Sequence, residues 1–478
     1  MFSPGKQSGA PARLLDPIEV PGGDRVPPAA LAQRSDITNP LRNVAFRMGV
    51  ILVFIRFSII HQLLTYVLHV NLYLLYLFGI PTLAGLVLAG GIQRTLRGRP
   101  AIFWTLFAVW LFVDLPFSSW RTGSAGFLYA YIRTDFPMLF VVAGLTLTWR
   151  ECQSMMRAVA WGAAVIMLAA RVFQDNSAAY GGRLAIDFGT ISNSNDYACH
   201  LVLVLPFVIW IALAAKSTAL RLAAWGGVGY GVLLVLKTAS RGALIALIAG
   251  VLYWLLRGTM RQRIGLLAAG PIVVVMLVAF VPRSSLIRIV SFSAADEGAS
   301  QEALESSEMR RYLLKQSLLY TLEHPVFGVG MAQFSSFEGE HNQVLGGHGY
   351  WHEAHNTYTQ VSSECGIPGL AFYIAGIVST FLLVNRVYRQ ACKRPECEDI
   401  RTATFCIAMA MTVYCTAITF VNFAYFFYLP MMSSLVIAVS RAAQDEFAGR
   451  PSPSVAPQPG SPQQRWAPRR KPIVAPAR

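Results

Sequence analysis

Charged residues are scarce in this chain of 478 residues. Asp, Glu, Lys and Arg together make up 14% of the chain, whereas 54% of the residues are hydrophobic. An ordinary soluble domain carries about 25% charged residues, so this composition excludes a soluble fold over most of the chain. Negatively charged residues are fewer than positively charged ones: the chain has 25 Asp and Glu against 40 Lys and Arg, and its net charge is +15.

Signals for disulfides and for secretion are also missing. The seven cysteines show no paired spacing in the predicted outer loops, so no disulfide framework is predicted. The first forty residues are polar, rich in Pro and Gly, and contain no apolar core. No cleavable signal peptide is therefore predicted.

What the chain contains instead is a series of apolar runs of roughly 18–22 residues, which match a bilayer core of about 30 Å. The runs lack the alternating period of a membrane barrel, so helices are predicted. The predicted fold class is an all-α polytopic membrane protein with about 12 transmembrane helices. These spans lie near 46–67, 71–91, 100–117, 126–147, 152–171, 196–214, 219–237, 242–257, 264–282, 367–385, 402–421 and 424–441.

The basic residues are distributed unevenly between the two sides of the predicted bundle. One set of loops holds Arg94, Arg97, Arg99, Arg150, Arg157, Lys216, Arg221, Arg257, Arg261, Arg263, Arg386, Arg389, Lys393, Arg394 and Arg401. The opposite short loops hold only Arg121, Arg171, Arg183, Lys237 and Arg241. Because Lys and Arg concentrate in cytoplasmic loops, we expect the first set and both tails in the cytoplasm. The membrane topology thus explains the excess of positive charge, and no nucleic-acid partner is predicted.

This topology divides the chain into five parts. Residues 1–45 and the basic segment 442–478 are predicted to be disordered cytoplasmic tails. Spans one to nine occupy 46–282, and spans ten to twelve occupy 367–441. Residues 283–366 form a long outer loop between spans nine and ten, and polar loops in such proteins are usually short.

The long loop carries its own secondary-structure signals. Residues 305–323 predict a helix with acids at its start. The run HPVFGVG at 324–330 then breaks that helix. A second helix is predicted from near Trp351 to Glu364, ending at Gly366 and Pro368.

Histidines are concentrated in this loop. Four of the eight in the chain fall within fifteen residues, namely His341, His348, His352 and His355. Histidine titrates near pH 6.5 and can accept a proton at neutral pH, and nearby arginines would keep it neutral. We single out His355, which is followed by Asn356 and Tyr358, as the candidate general base.

The same cluster permits a metal site as an alternative. His348, His352 and His355 could ligate zinc together with Glu353. However, the segment matches no recognised zinc motif, and the outer loops lack the Asp-x-Asp pair of metal-dependent sugar transferases. A site without metal or other cofactor is therefore predicted.

Several outer arginines suggest an anionic ligand. Arg183, Arg241 and Arg310 lie on the loop side with few matching acids, and ionisable groups at a membrane border need a partner or a role. A guanidinium binds phosphate in bidentate fashion. The alternative is that each arginine extends to lipid headgroups. Arg241 fits this alternative less well, because it interrupts an apolar stretch.

Four motifs, in this order, resemble those of the O-antigen ligase family, whose shared region also covers O-antigen polymerases and some protein oligosaccharyltransferases. They are Arg183 followed by Asn193 and Asn195, Ser240-Arg241-Gly242, Arg310 followed by Pro325, Gly328 and Gly330, and His355-Asn356-x-Tyr358 followed by Glu364-x-Gly366. The sequence departs from the family pattern at Leu314, where an aromatic residue is usual, and at Thr359, where leucine is expected.

The resemblance implies a GT-C-like glycosyltransferase in the bacterial inner membrane, with both termini cytoplasmic and its active site and long loop periplasmic. Such an enzyme transfers a glycan from undecaprenyl diphosphate to lipid A–core oligosaccharide, inverting the anomeric centre without a metal. The implied partners are these two substrates and membrane lipid, and we expect a monomer.

The resemblance also suggests roles for individual residues. His355 would act as the general base or position the acceptor hydroxyl. Arg241 and Arg310 would bind the diphosphate, with Arg183 as a third contact. The supporting residues would be Asn356, Tyr358, Asn193, Asn195 and Glu364.

Three other functions remain open from the sequence. An O-antigen polymerase or a protein O-oligosaccharyltransferase would use the same donor. A transporter is a more distant alternative, because Arg56, His61, Arg133 and Asp135 lie within predicted spans and could line a substrate or proton path. These charged residues could equally form an ion pair inside the membrane.

Overall fold

The fold is built almost entirely from helices. The computed structural model describes residues 37–175, 183–186, 188–280, 301–344 and 351–449. The α-helices are α1 (Pro40–Ser58), α2 (Ile60–Leu68), α3 (Leu74–Leu88), α4 (Gly91–Leu96), α5 (Arg99–Asp114), α6 (Arg121–Ala130), α7 (Met138–Leu145), α8 (Trp149–Val172), α9 (Ser194–Ala214), α10 (Thr218–Lys237), α11 (Arg241–Arg257), α12 (Met260–Phe280), α13 (Gln301–Glu323), α14 (Phe334–Val344), α15 (Thr357–Cys392), α16 (Glu398–Ala417) and α17 (Tyr428–Gly449). Strands β1 (Gln174–Asp175) and β2 (Ala185–Ile186) form one short antiparallel pair.

Seven helical segments in the described ranges are long and apolar enough to cross a membrane. They are Arg99–Phe117, Arg121–Leu145, Trp149–Val172, Ser194–Ala214, Thr218–Lys237, Thr357–Cys392 and Pro395–Phe420. The bent pair α1 and α2 would make an eighth. The chain is therefore an all-helical polytopic membrane protein. Each of the twelve predicted spans overlaps a helix, but the number twelve remains a prediction.

The first predicted span, 46–67, is broken, which corrects the expectation of one continuous helix. α1 and α2 meet at Ile59 with an angle of 66° between them. Ile59 has a φ of 54°, in the left-handed region that β-branched residues rarely adopt. A single residue in this conformation is enough to redirect the chain.

Two of the charged residues in predicted spans form an ion pair with each other. Arg56 Nη2 lies 2.5 Å from Asp135 Oδ1, and the Arg56 guanidinium lies 4.0 Å from the centre of the Phe427 ring. Asp135 also accepts a hydrogen bond from the Phe427 backbone N–H at 3.2 Å. It is the last residue of a π-helical turn, Tyr131–Asp135. The pair therefore ties α1 to the segment between α6 and α7.

The interior of the bundle contains a histidine with a structural role. α9 packs against α8, α10 and α16. Its His200 is fully buried, with Nδ1 2.8 Å from the Tyr428 hydroxyl and Nε2 2.9 Å from the Phe57 carbonyl oxygen. Both ring nitrogens are thus used to join α9 to α17 and α1.

The segment 324–330 is joined to the first part of α15 by backbone hydrogen bonds. The Val329 N–H donates to the Ser363 carbonyl oxygen at 2.8 Å. Gly366 follows with a φ of 67°, and a Cβ there would lie 2.0 Å from the Val326 carbonyl oxygen. Only glycine fits this close approach. Gly366 itself is not helical, so the helix that begins at Thr357 is interrupted there, as the sequence predicted, before α15 continues to Cys392.

The second loop helix also begins later than predicted. Residues 351–356 are not helical, and α15 begins at Thr357. Asn356 acts as the N-cap, because its Oδ1 accepts hydrogen bonds from the backbone N–H groups of Tyr358 at 2.9 Å and Thr359 at 3.2 Å. The sequence did not predict α14.

Helical structure also extends into both predicted tails. α1 begins at Pro40, inside the predicted tail 1–45, and α17 continues to Gly449, beyond the predicted boundary at 442. Residues 1–36 and 450–478 of the predicted tails, and residues 283–300 and 345–350 of the predicted loop, lie outside the described residues.

Candidate active site

A small hydrophobic core organises the loop and positions the residue next to His355. Its buried members are Leu313, Tyr320, Val329, Phe334 and Ala354. A hydrogen bond of 2.8 Å between the Thr321 and Ser362 hydroxyls joins α13 to α15. Because Ala354 immediately precedes His355, this core determines where the imidazole lies.

His355 lies between this core and the first turn of α15. It has a φ of 47°, in the left-handed region that His, Asn and Asp adopt more often than most residues. Burial, followed by the charges of Arg310 and His352, lowers its pKa from 6.5 to about 4. The ring is therefore neutral at pH 7, so one of its nitrogens can accept a proton.

Arg310 brings three separate segments together around one guanidinium. From α13 its charge acts on His355 and on Asp196, in the first turn of α9. Asp196 was not among the predicted site residues. The Asn-Ser-Asn-Asp run that contains it was the signal that could have identified it.

Arg183 joins the start of α9 to the end of α10. Its Nε donates to the Thr238 carbonyl oxygen at 2.8 Å, and its Nη2 donates to Asn195 Oδ1 at 2.8 Å. Asn193 caps α9, because its Oδ1 accepts from the Asn195 backbone N–H at 2.8 Å. These contacts position the segment on which Asp196 lies.

Arg241 is half-buried as the first residue of α11. Its neighbour Gly242 packs so closely that a Cβ would lie 2.6 Å from Phe420 Cβ. The next residue, Val421, accepts a hydrogen bond from the Thr357 hydroxyl at 2.8 Å. Through Phe420 and Val421, the start of α11 is connected to the start of α15, two residues beyond His355.

Three predicted supporting residues hold the framework of the site. The Tyr358 hydroxyl donates to the Cys415 carbonyl oxygen at 2.9 Å. Glu364 is fully buried and accepts hydrogen bonds from the Tyr425 hydroxyl at 2.7 Å and the Ala332 N–H at 3.1 Å. Asn356 caps α15. Within the described ranges none of the three makes a hydrogen bond to the His355 ring.

A cavity of 370 Å³, lined by aromatic as well as polar side chains, lies beneath the loop. Its lining includes Glu353, Gln360, Arg56, Asp135 and Asn422. Burial raises the pKa of Glu353, while a hydrogen bond from the Ser335 hydroxyl opposes that shift. The sequence suggested Glu353 only as a metal ligand. Its place in a cavity depends on how the loop docks, which no local motif encodes.

The alternative metal site has no cluster to support it in the described part of the chain. No group of three or more His, Cys, Asp or Glu side chains is close enough to hold an ion there. His352 is exposed, and His348 lies outside the described residues.

Comparison with known proteins gives one match, to a family model. No curated protein matches this chain significantly. A family model described as O-Antigen ligase matches residues 226–374. The match includes Ser240-Arg241, Arg310, the 324–330 run and His355-Asn356, but not Arg183, Asn193 or Asn195. Residues 226–374 are therefore similar to the O-antigen ligase family, to which the sequence motifs pointed.

Proposed function

We propose that this chain is an O-antigen ligase that transfers glycan from undecaprenyl diphosphate to lipid A–core oligosaccharide. The family region supports membrane glycosyltransferase activity of the ligase or polymerase type. The observation that carries the ligase mechanism is the neutral His355 beside Arg310. A neutral base next to a fixed cation suits a hydroxyl acceptor and a diphosphate leaving group.

In the proposed reaction, the acceptor hydroxyl oxygen attacks the anomeric carbon of the donor. The bond from that carbon to the diphosphate oxygen breaks, and the electron pair leaves with the diphosphate. The hydroxyl proton passes to a ring nitrogen of His355. One displacement from the opposite side inverts the anomeric centre.

The arginines would stabilise the negative charge that develops on the leaving group. Preorganised donors are most effective where charge appears in the transition state, and a guanidinium can bind two phosphate oxygens at once. We assign this role to Arg310 and Arg241, with Arg183 as a further contact. These residues would act without a metal ion.

The cavity beneath the loop is proposed to receive acceptor sugar, because aromatic side chains such as Tyr425 and Phe427 lie beside its polar groups. Its volume of 370 Å³ falls within the range of about 300–1,000 Å³ that is usual for small-molecule sites. Gln360 and Glu353 would offer hydrogen bonds to hydroxyl groups. His355 is not part of this lining, and we propose that it reaches the reacting hydroxyl from the loop segment that follows Glu353.

We place this site on the periplasmic side of the bacterial inner membrane, in a GT-C-like arrangement with both termini cytoplasmic. The support for this orientation is the distribution of basic residues. The loops opposite His355 carry most of the positive charge, as cytoplasmic loops do.

Reconstitution tests the proposed reaction directly. Purified protein in liposomes, given an undecaprenyl-diphosphate glycan and lipid A–core, should form glycan-extended lipid A–core at the same rate with and without a chelator. Longer carrier-linked glycan without ligated product would instead indicate a polymerase. Glycan transferred only to an added protein acceptor would indicate a protein oligosaccharyltransferase, and substrate uptake without transfer would indicate a transporter.

The low pKa of His355 predicts an unusual pH dependence. Because the neutral ring is required and its pKa in the free enzyme is about 4, kcat/KM should stay flat below pH 6 and fall only as the pH approaches 4. A bound diphosphate would offset the charge of Arg310 and raise that pKa, so the acid limb of kcat should lie at higher pH. The measurement is a pair of pH profiles with varied donor concentration. Acid limbs near pH 6.5 in both would contradict this account.

A further inference from the structure

A second and larger cavity, of 1630 Å³, opens between α4, α5, α15 and α17. The mechanism proposed above does not use it. Its wall contains five arginines and one acid, namely Arg94, Arg97, Arg99, Arg386, Arg441 and Asp445. The charge of this wall is therefore strongly positive.

This basic cavity lies at the end of the bundle opposite His355. Beyond its kink at Gly366, α15 continues to Arg386 for roughly 20 residues, or about 30 Å along a helix, away from the end that begins next to His355. α5 likewise starts at Arg99, and the chain just beyond its other end contacts the loop, where the Ser119 N–H donates to the Val329 carbonyl oxygen at 3.0 Å. The two sites are thus separated by the thickness of the bundle.

Two arginines of the basic cavity are held in place by backbone carbonyls. Arg94 Nε donates to the Gly144 carbonyl oxygen at 3.0 Å, and Arg441 Nη2 donates to the Ala143 carbonyl oxygen at 2.7 Å. Both guanidinium groups are therefore anchored to the end of α7. Arg94 also lies close enough to Arg441 to act on it electrostatically, and an anion between such groups would offset their repulsion.

The other three arginines are available to a ligand. Arg97, Arg99 and Arg386 are exposed. In the part of the chain that the structure describes, none of them takes part in an ion pair. A phosphate group at this position could accept hydrogen bonds from α4, α5 and α15 together.

The remaining wall of the cavity is apolar and continues along membrane helices. Ile102 of α5 and Val378 and Leu382 of α15 line it and are 43%, 48% and 67% exposed. α5 and α15 both belong to candidate membrane spans, so these side chains face hydrocarbon. A cationic end that continues into an apolar wall matches a lipid with a phosphate headgroup more closely than a free anion.

We propose that this cavity binds an anionic membrane phospholipid, with its phosphate on the arginines and an acyl chain along Ile102, Val378 and Leu382. Basic pockets between membrane helices bind such headgroups by charge and hydrogen bonding. The proposal goes beyond glycan transfer and does not depend on it. It requires only that the bundle lies in a membrane.

Thermal unfolding of the purified full-length chain in a neutral detergent tests the proposal. Phosphatidylglycerol should raise the Tm of the wild type, because a ligand that binds only the folded state stabilises it. Phosphatidylcholine at the same mole fraction should leave Tm unchanged. In the variant Arg97→Ala/Arg386→Ala, about tenfold more phosphatidylglycerol should be needed for the same shift.

The matched control is Arg150→Ala/Arg389→Ala, which removes two exposed arginines from the same end of the bundle but outside the cavity. This control should respond to phosphatidylglycerol as the wild type does. Equal loss of response in both variants would overturn the proposal, because it would indicate a general surface-charge effect. Arg97→Gln/Arg386→Gln replaces the alanine variant if that variant does not fold.

Two further additions distinguish a lipid from a soluble anion at constant ionic strength. Sodium phosphate and glycerol 3-phosphate should not reproduce the shift, because neither contacts the apolar wall. An equal shift with either compound would overturn the assignment to a lipid. Retention of phosphatidylglycerol by the wild type, and its loss from the double variant, should also be visible by native mass spectrometry.

Discussion

Replacing His355 by alanine is expected to reduce glycan transfer by about 100- to 10,000-fold, the usual contribution of a positioned general base. The acceptor hydroxyl would lose the group that takes its proton, while the arginines would still bind the donor. The rate of formation of ligated lipid A–core in liposomes measures this loss, and the KM for the donor should change little.

A second substitution and a control make that result specific to the imidazole. His355→Asn keeps a residue that tolerates the left-handed backbone found here, so it separates loss of the ring from strain in the loop. His352→Ala removes an exposed histidine three residues away and should retain activity within about twofold. Normal transfer by His355→Asn would remove the imidazole from the mechanism. Loss of activity in His352→Ala would support the metal alternative.

Replacing Arg310 by alanine is expected to reduce transfer by about 100- to 1,000-fold, as removal of one preorganised donor to a developing anion does. Arg310→Lys should recover part of this loss, because lysine keeps the positive charge but lacks the guanidinium group that donates to two oxygens at once. The variants are compared by kcat and kcat/KM in the same liposome assay.

The pH profile distinguishes this electrostatic role from a structural one. The charge of Arg310 helps to lower the pKa of His355, so Arg310→Ala should move the acid limb of kcat/KM to higher pH. Arg311→Ala removes the exposed neighbour on the same helix. This control should leave the rate of transfer and the pH at which kcat/KM falls in acid unchanged. A loss of rate in Arg310→Ala with an unmoved limb would contradict the proximity of the two groups.

Most of the helical framework follows from local properties of the sequence. An apolar run long enough to span a bilayer must form a helix wherever it lies, so all twelve predicted spans overlap helices. The predicted helix at 305–323 lies within α13 for a similar reason, since its pattern and its breaker at 324–330 are local. The observed helices differ from the predicted ones at Ile59 and at the start of α15. At these two positions, hydrogen bonding and backbone conformation override the hydrophobic pattern.

Part of the candidate site could also be found from motifs. Arg310 and His355 were selected by residue type and spacing. The charge of Arg310 acts on His355 in the structure, while their roles in a site stay a prediction. Asp196 and Glu353 were not selected as site residues. The Asn-Ser-Asn-Asp run could have pointed to Asp196, but which helix or loop lies opposite either residue depends on packing that no local motif encodes.

By itself, the sequence predicted a helical membrane protein with motifs that resemble the O-antigen ligase family, because hydrophobic length, charge distribution and short motifs are properties of contiguous residues. Only the tertiary structure decided that Arg310 reaches both His355 and Asp196, that Arg56 pairs with Asp135, and that arginines from four helices line one cavity. Those contacts join residues that are far apart in the chain, and packing of whole helices brings them together.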